Sequence, residues 1–192
     1  MADVMPKGRL QSFSDGVFAI IITIMVLELR PPRGADPQSL IGLWPVFVSY
    51  LLSFLMIAIY WVNHHHLFHK ARHVHTGVLW SNAGLLFFLS LLPFSTAYMG
   101  ENDFAPFPTA VYAASLVLCG LAFIPVRAAV MAQLPKTARS AYIARHAVWK
   151  NYIALGCYLA AMPLAYVHSG LALGLCFAVA ALYILPNAFL EN

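Results

Sequence analysis

Residues 13–29 read Phe13-Ser14-Asp15-Gly16-Val17-Phe18-Ala19-Ile20-Ile21-Ile22-Thr23-Ile24-Met25-Val26-Leu27-Glu28-Leu29, an apolar run with a carboxylate near each end. Between Phe18 and Leu27 only Thr23 carries a polar group. Lipid offers the backbone no hydrogen-bond partner, so a run that crosses about 30 Å of hydrocarbon does so as a helix of about 20 residues. Along such a helix Asp15 and Glu28 stand roughly 20 Å apart. Asp15 reads in two compatible ways: as the N-cap of the helix, where its charge suits the macrodipole, or as a group needing water or a partner where the chain enters the membrane. Ile20, Thr23, Ile24 and Leu27 recur at i, i+3, i+4 and i+7 and share one stripe. Helix packing alone produces such stripes in most membrane proteins, so the period does not separate packing from pore lining. Gly16 and Ala19 are small enough for a close crossing.

Working outward, five more runs of this kind span 40–62, 77–98, 105–130, 148–167 and 170–190. The breaks are chemically marked by Arg30-Pro31-Pro32-Arg33-Gly34, a histidine-rich stretch after Asn63, Gly100-Glu101-Asn102-Asp103, a polar segment from Gln133 to Arg145, and His168-Ser169-Gly170. The expected fold is an all-α membrane protein with six transmembrane helices, 1–192 forming a single domain. Composition agrees, with 61% hydrophobic and 9% charged residues among 192, against about 25% charged in soluble domains. A mean hydropathy of +0.76 along the whole chain excludes a soluble globule. Pro93, Pro125, Pro163 and Pro186 fall inside the runs and read as kinks.

The net charge of +4 could suggest nucleic acid, but the basic residues sit at the ends of apolar runs, where membrane topology alone places them. With the N-terminus in the cytoplasm, Lys7, Arg9, Lys70, Arg72, Arg127, Lys136, Arg139, Arg145 and Lys150 lie inside, and only Arg30 and Arg33 outside. Both termini are therefore expected in the cytoplasm. Trp61, Trp80 and Trp149 fall at predicted cytoplasmic ends and Trp44 near the outer end of the second run, as interfacial rings prefer.

Signatures of enzymes are absent: no nucleophile elbow, no phosphate loop, no dinucleotide fingerprint. Neither a T-V-G-Y-G filter nor an arginine-rich voltage sensor is present. Cys119, Cys157 and Cys176 are far apart and inside apolar runs, so no disulfide framework or zinc site follows. Six of the eight histidines lie between His64 and His75. His65, His69 and His73 would share a helical face able to hold a divalent metal, but no Glu stands between paired histidines as in a zinc hydrolase. Polar support contacts, head-group binding and pH sensing remain open for this cluster.

Arg9-Leu10-Gln11-Ser12-Phe13-Ser14-Asp15 matches the R-x-x-x-F-S-D signature of the transmembrane protein 175 family, which the chain resembles. The match continues through Gly16 to Ile20, Tyr60-Trp61-x-x-His64-His65, Asn82 and Leu91-Leu92-Pro93-Phe94. The first half resembles the family densely, the second mainly by helix count. The resemblance implies a potassium channel whose prokaryotic members are homotetramers around a pore lined by the first helix. Carried over by position, Ile20, Thr23 and Leu27 would form the constriction, with Ile24 beside them. Arg9, Phe13, Ser14 and Asp15 would form a structural network, Arg9 and Asp15 pairing with each other or with polar groups such as His65 and Asn82. Glu28 would stand near the outer mouth, where carboxylates concentrate cations. The implied partners are potassium ions, lipid and further copies of the chain, with no cofactor. Pro31-Pro32 and the short tail fit a single-repeat member in a prokaryotic plasma membrane. A secondary transporter is the rival reading; transporters usually show broken helices in two halves, and the first run has no break after Gly16. An intramembrane metalloenzyme using the histidines is the third.

Overall fold

The computed structural model describes residues 6–135 and 138–185, with backbone alone across 138–147. Lys136, Pro186, the side chains of Arg139 and Arg145, and the end of the sixth run lie outside the described residues. Helices α1 (Lys7–Leu27), α2 (Pro37–Ile41), α3 (Trp44–Lys70), α4 (Thr76–Leu89), α5 (Leu92–Glu101), α6 (Pro106–Met131), α7 (Ala138–Val167) and α8 (Ser169–Ile184) follow in chain order. They line up as six rods, because α2 leads into α3 and α4 into α5 across turns of two residues each.

The break between α4 and α5 has a covalent cause. Pro93 has no N–H to offer the Leu89 carbonyl, so the chain tightens, with the Leu91 N–H on the Phe88 carbonyl at 3.2 Å. Helix α5 restarts with Pro93 in its first turn, where the missing donor is not needed. The third run is thus two helices rather than one kinked helix, whereas Pro125 and Pro163 stay inside continuous α6 and α7. Histidine caps two helices: Nδ1 of His75 accepts from the Gly77 N–H and Nδ1 of His168 from the Gly170 N–H, each at 3.1 Å. Ahead of α2, Asp36 accepts from the Ser39 hydroxyl at 2.6 Å and the Ser39 N–H at 2.8 Å. These bonds, the side-chain one foremost, hold its carboxyl below the usual range. The cap therefore holds above that range and is lost as pH falls through the lowered value.

Among the described residues four stretches are long and apolar enough to cross a membrane: Lys7–Leu27, Pro37–Lys70, Thr76–Glu101 and Pro106–Met131. The chain is a multi-pass membrane protein. Helix α6 packs along α7 and α4, α8 along α7, and α3 along α5. Between them Leu52, Met56, Ile57, Leu85, Leu89 and Leu116 are fully buried, while Trp80, Phe87 and Phe94 face outward, as a lipid-covered surface allows. Thr96, Ser53 and Tyr112 link α5, α3 and α6 through hydroxyl contacts of 2.7 and 3.0 Å.

Helices α3 and α5 pack tightly at Gly100, where a Cβ would stand 3.0 Å from both Val46 Cα and Ser49 Oγ. Backbone cannot yield as a side chain can. Gly100→Ala is expected to destabilise the fold by about 1–3 kcal/mol, read by unfolding in mixed micelles; an unchanged variant would show that the two helices can separate freely.

Lys7 Nζ donates to the carbonyls of His69 (3.1 Å) and Ala71 (3.3 Å), and Gln133 Oε1 accepts from the N–H groups of Arg72 and His73 at 3.0 Å. The start of α1 and the ends of α3 and α6 therefore share one end of the bundle, the end that gathers Lys7, Lys70 and Arg72.

Candidate functional site

Helix α1 has two faces of opposite character. Leu10, Ser14, Phe18, Ile21 and Met25 are buried against the chain's own core. On the other side Ile20 is 57% exposed, Ile24 43% and Leu27 75%, with Thr23 exposed among them. The stripe read from sequence is thus the face that the chain itself leaves bare. Thr23 donates its hydroxyl to the Ile20 carbonyl at 2.8 Å. With its proton committed to the helix, that oxygen offers only lone pairs outward.

A directional set of bonds holds the buried face. Ser14 Oγ donates to the Leu10 carbonyl at 2.9 Å, Asn82 Nδ2 donates to Ser14 Oγ at 3.0 Å, and Asn82 Oδ1 lies 2.8 Å from His64 Nε2. Since Ser14 gives its proton to the backbone, it accepts from Asn82, and the Asn82 oxygen must accept in turn. His64 is therefore the tautomer with its proton on Nε2. Ser14, His64 and Asn82 are each at most 1% exposed. Phe18 meets the His64 ring edge-on at 5.6 Å, and Phe68 stacks on it at 4.3 Å. Three helices, α1, α3 and α4, are pinned at one point.

Of the two readings of Asp15 the N-cap fails while the group with a partner stands, and the pairings expected of Arg9 and His65 are not made. Helix α1 starts at Lys7, so Asp15 lies two turns inside it and does not cap it. Its carboxylate accepts from Trp61 Nε1 at 2.9 Å. Arg9 makes no ion pair with Asp15; six residues apart, they diverge by about 120° around the helix. His65 does not join Asn82 but lies against Trp61 at 5.8 Å and His69 at 4.6 Å. Phe13 is 62% exposed and, with Arg9, Leu79 and Trp80, borders a surface cleft between α1 and α4. The proposed His65, His69, His73 face is also corrected, because α3 ends at Lys70 and Ala71 turns extended, removing His73 from it. Among the described residues no three His, Cys, Asp or Glu gather to hold a metal. Glu28 closes α1 and pairs with Arg30 at 3.9 Å, an exposed contact that contributes little.

Trp61 and His64 are the residues whose roles the site reading missed. Their signal is the spacing Trp61, His64, Phe68, at i, i+3 and i+7, which puts one indole, one imidazole and one phenyl along the face that meets α1.

Fold and site together define a multi-pass helical membrane protein whose first helix is anchored by a buried polar network on one face and bare on the other. The profile described as "Endosomal/lysosomal potassium channel TMEM175" matches residues 9–93. A protein of Chryseobacterium sp. (strain P1-3) named as a potassium channel is 38% identical over 188 residues, covering 98% of this chain and 97% of its own. The chain belongs to the TMEM175 family. The crystal structure of a lysosomal potassium-selective channel TMEM175 homolog from Chamaesiphon minutus superposes with a TM-score of 0.81 at 30% identity, covering 92% of this chain and 95% of that one. The Homo sapiens endosomal/lysosomal proton channel TMEM175 is 29% identical over 132 residues, 62% of this chain and 26% of its own length.

Proposed function

We propose that the chain is a potassium channel of modest selectivity, assembled from four copies around a pore lined by the bare face of α1. The observation that carries this reading is that Ile20, Thr23, Ile24 and Leu27 all point away from the chain's own core. The names of the bacterial relatives, which this chain matches over nearly their full length, supply the ion. Rings of Ile20 and Leu27 resist ions, because a hydrated cation loses water there and receives no replacement oxygen. Thr23 between them supplies that oxygen. The unbroken course of α1 speaks against a transporter site built on an interrupted helix. The nine-to-two distribution of Lys and Arg supports cytoplasmic termini, and the bacterial sources of the similar potassium channels support a prokaryotic plasma membrane.

The deciding measurement is the reversal potential of purified protein in planar bilayers under opposed potassium and sodium chloride. A potassium-selective current is expected, and Thr23→Ala is expected to move the reversal potential toward zero without abolishing the current. Unchanged selectivity in that variant would remove Thr23 from the filter. Slow saturable uptake into liposomes, without single-channel steps, would replace the channel by a transporter and return the stripe to packing.

A further inference from the structure

The histidines at the end of α3 divide by what surrounds them. His64 is buried and bonded to Asn82, and His66 lines a cavity that α3 shares with α6 and α7. His65 and His69 remain, four residues apart on one helical face, the first half-buried and the second exposed. Their ring centres are 4.6 Å apart. Among the described residues neither ring has a hydrogen-bond partner, so both keep their nitrogens for an outside group.

The separation matches two ligands of one metal. An ion bound about 2.0–2.1 Å from an imidazole nitrogen, in the plane of the ring, stands about 3.2 Å from the ring centre. Two rings whose centres are 4.6 Å apart then subtend about 90° at that ion, whereas a tetrahedral pair would need centres about 5.2 Å apart. The ring planes now meet at 71°. Histidine turns broadly about χ2, and its ring centre lies close to that axis, so turning re-aims a nitrogen without moving the centre. Both residues belong to α3, and the helix fixes their spacing before any ion arrives.

Charges of both signs lie nearby. The Asp15 carboxylate accepts from Trp61, whose ring is 5.8 Å from that of His65. Lys7 engages the carbonyl of His69 at 3.1 Å and not its ring, and Lys70 is exposed at the helix end. Around an exposed site such charges are screened, which leaves the two imidazoles to set the affinity. A right angle between two nitrogens is the cis arrangement of a tetragonal ion with water in its other positions.

We infer that His65 and His69 form a two-imidazole site for a divalent transition-metal ion of tetragonal preference, Cu(II) or Ni(II), on the flank of α3 beside α1. Binding at this pair requires neither ion conduction nor a second copy of the chain.

The test is a titration of the full chain, free of any affinity tag, in neutral detergent with Cu(II), followed by electron paramagnetic resonance. One tightly held ion per chain is expected, with pulsed spectra showing two coordinated imidazoles. His65→Gln and His69→Gln are each expected to raise the Kd by about tenfold or more, because either change turns a chelate into a single ligand. His66→Gln should leave the Kd unchanged. Ni(II) should displace the copper, and Mg(II), which takes oxygen ligands, should not. Both rings lie at the helix surface, so these variants leave the core intact. Should one fail to fold, the imidazole count in the parent decides. A single coordinated imidazole, no bound Cu(II), or an unchanged Kd in the His65→Gln/His69→Gln variant overturns the site.

Discussion

Ile20→Asn is expected to raise the potassium current by about tenfold or more at a given voltage, equivalent to lowering the barrier by about 1.4 kcal/mol. Four Ile20 side chains around an axis would close the path by excluding water; four amides would wet it and offer oxygens to a passing cation. Ile20 is 57% exposed in the single chain, so the exchange disturbs no internal packing and the variant should express and fold as the parent does. The adjacent residue supplies the control. Ile21 is 2% exposed, and Ile21→Asn would bury an amide without partners, at a cost of roughly 2 kcal/mol or more. That variant is expected to lose folded protein. Opposite outcomes at neighbouring positions would distinguish a pore-facing side from a core-facing one by current and yield together. If Ile20→Asn instead left the current unchanged while breaking the assembly, the face would be a packing surface between copies.

The stripe of α1 is legible in the sequence because its period is that of a helix, but a period has no sign. The same four residues could equally have faced the core. Burial decided it, through Leu10, Ser14, Phe18, Ile21 and Met25 on the other side, and four of those five are apolar like most of the residues left bare. Helix starts were hidden for a different reason. The turns from Lys7 to Ser12 and from Ala138 to Ala147 are helical but carry the polar residues that mark the edges of apolar runs. The sequence therefore shows the hydrocarbon-crossing length of each helix rather than its full length, and this alone moved Asp15 from a cap to the helix interior. Three consecutive histidines, His64 to His66, give no phase of their own. It is fixed by Trp61 and Phe68 on either side, which select His64 for the interior.

Asn82→Leu is expected to reduce the unfolding free energy by about 2–4 kcal/mol and, with it, the potassium current. Leucine keeps the branched shape and leaves no cavity, so the loss is that of the polar contacts together with any crowding by its larger methyl groups. Two groups are stranded: the His64 Nε2–H, which loses its acceptor, and the Ser14 oxygen, which loses its donor. Interhelical hydrogen bonds in membrane bundles average only about 0.6 kcal/mol by double-mutant cycles, which would make the effect small if unfolding merely traded partners. The burial of His64 and Asn82, each 1% exposed, argues otherwise, since the folded variant cannot bring water to the stranded groups. A cycle tests this directly. His64→Phe combined with Asn82→Leu removes donor and acceptor together, next to Phe18 and Phe68 rings that accept a phenyl, and should cost clearly less than the two single changes added. The same cycle read by current asks whether α1 holds its register through this point. Ser14 is one turn and a half before Ile20, so a loosened Ser14 tilts the whole bare face. If the double variant recovers stability but not current, the network acts on the position of the pore helix as well as on the fold; if Asn82→Leu alters neither, the three helices are held by their apolar contacts alone.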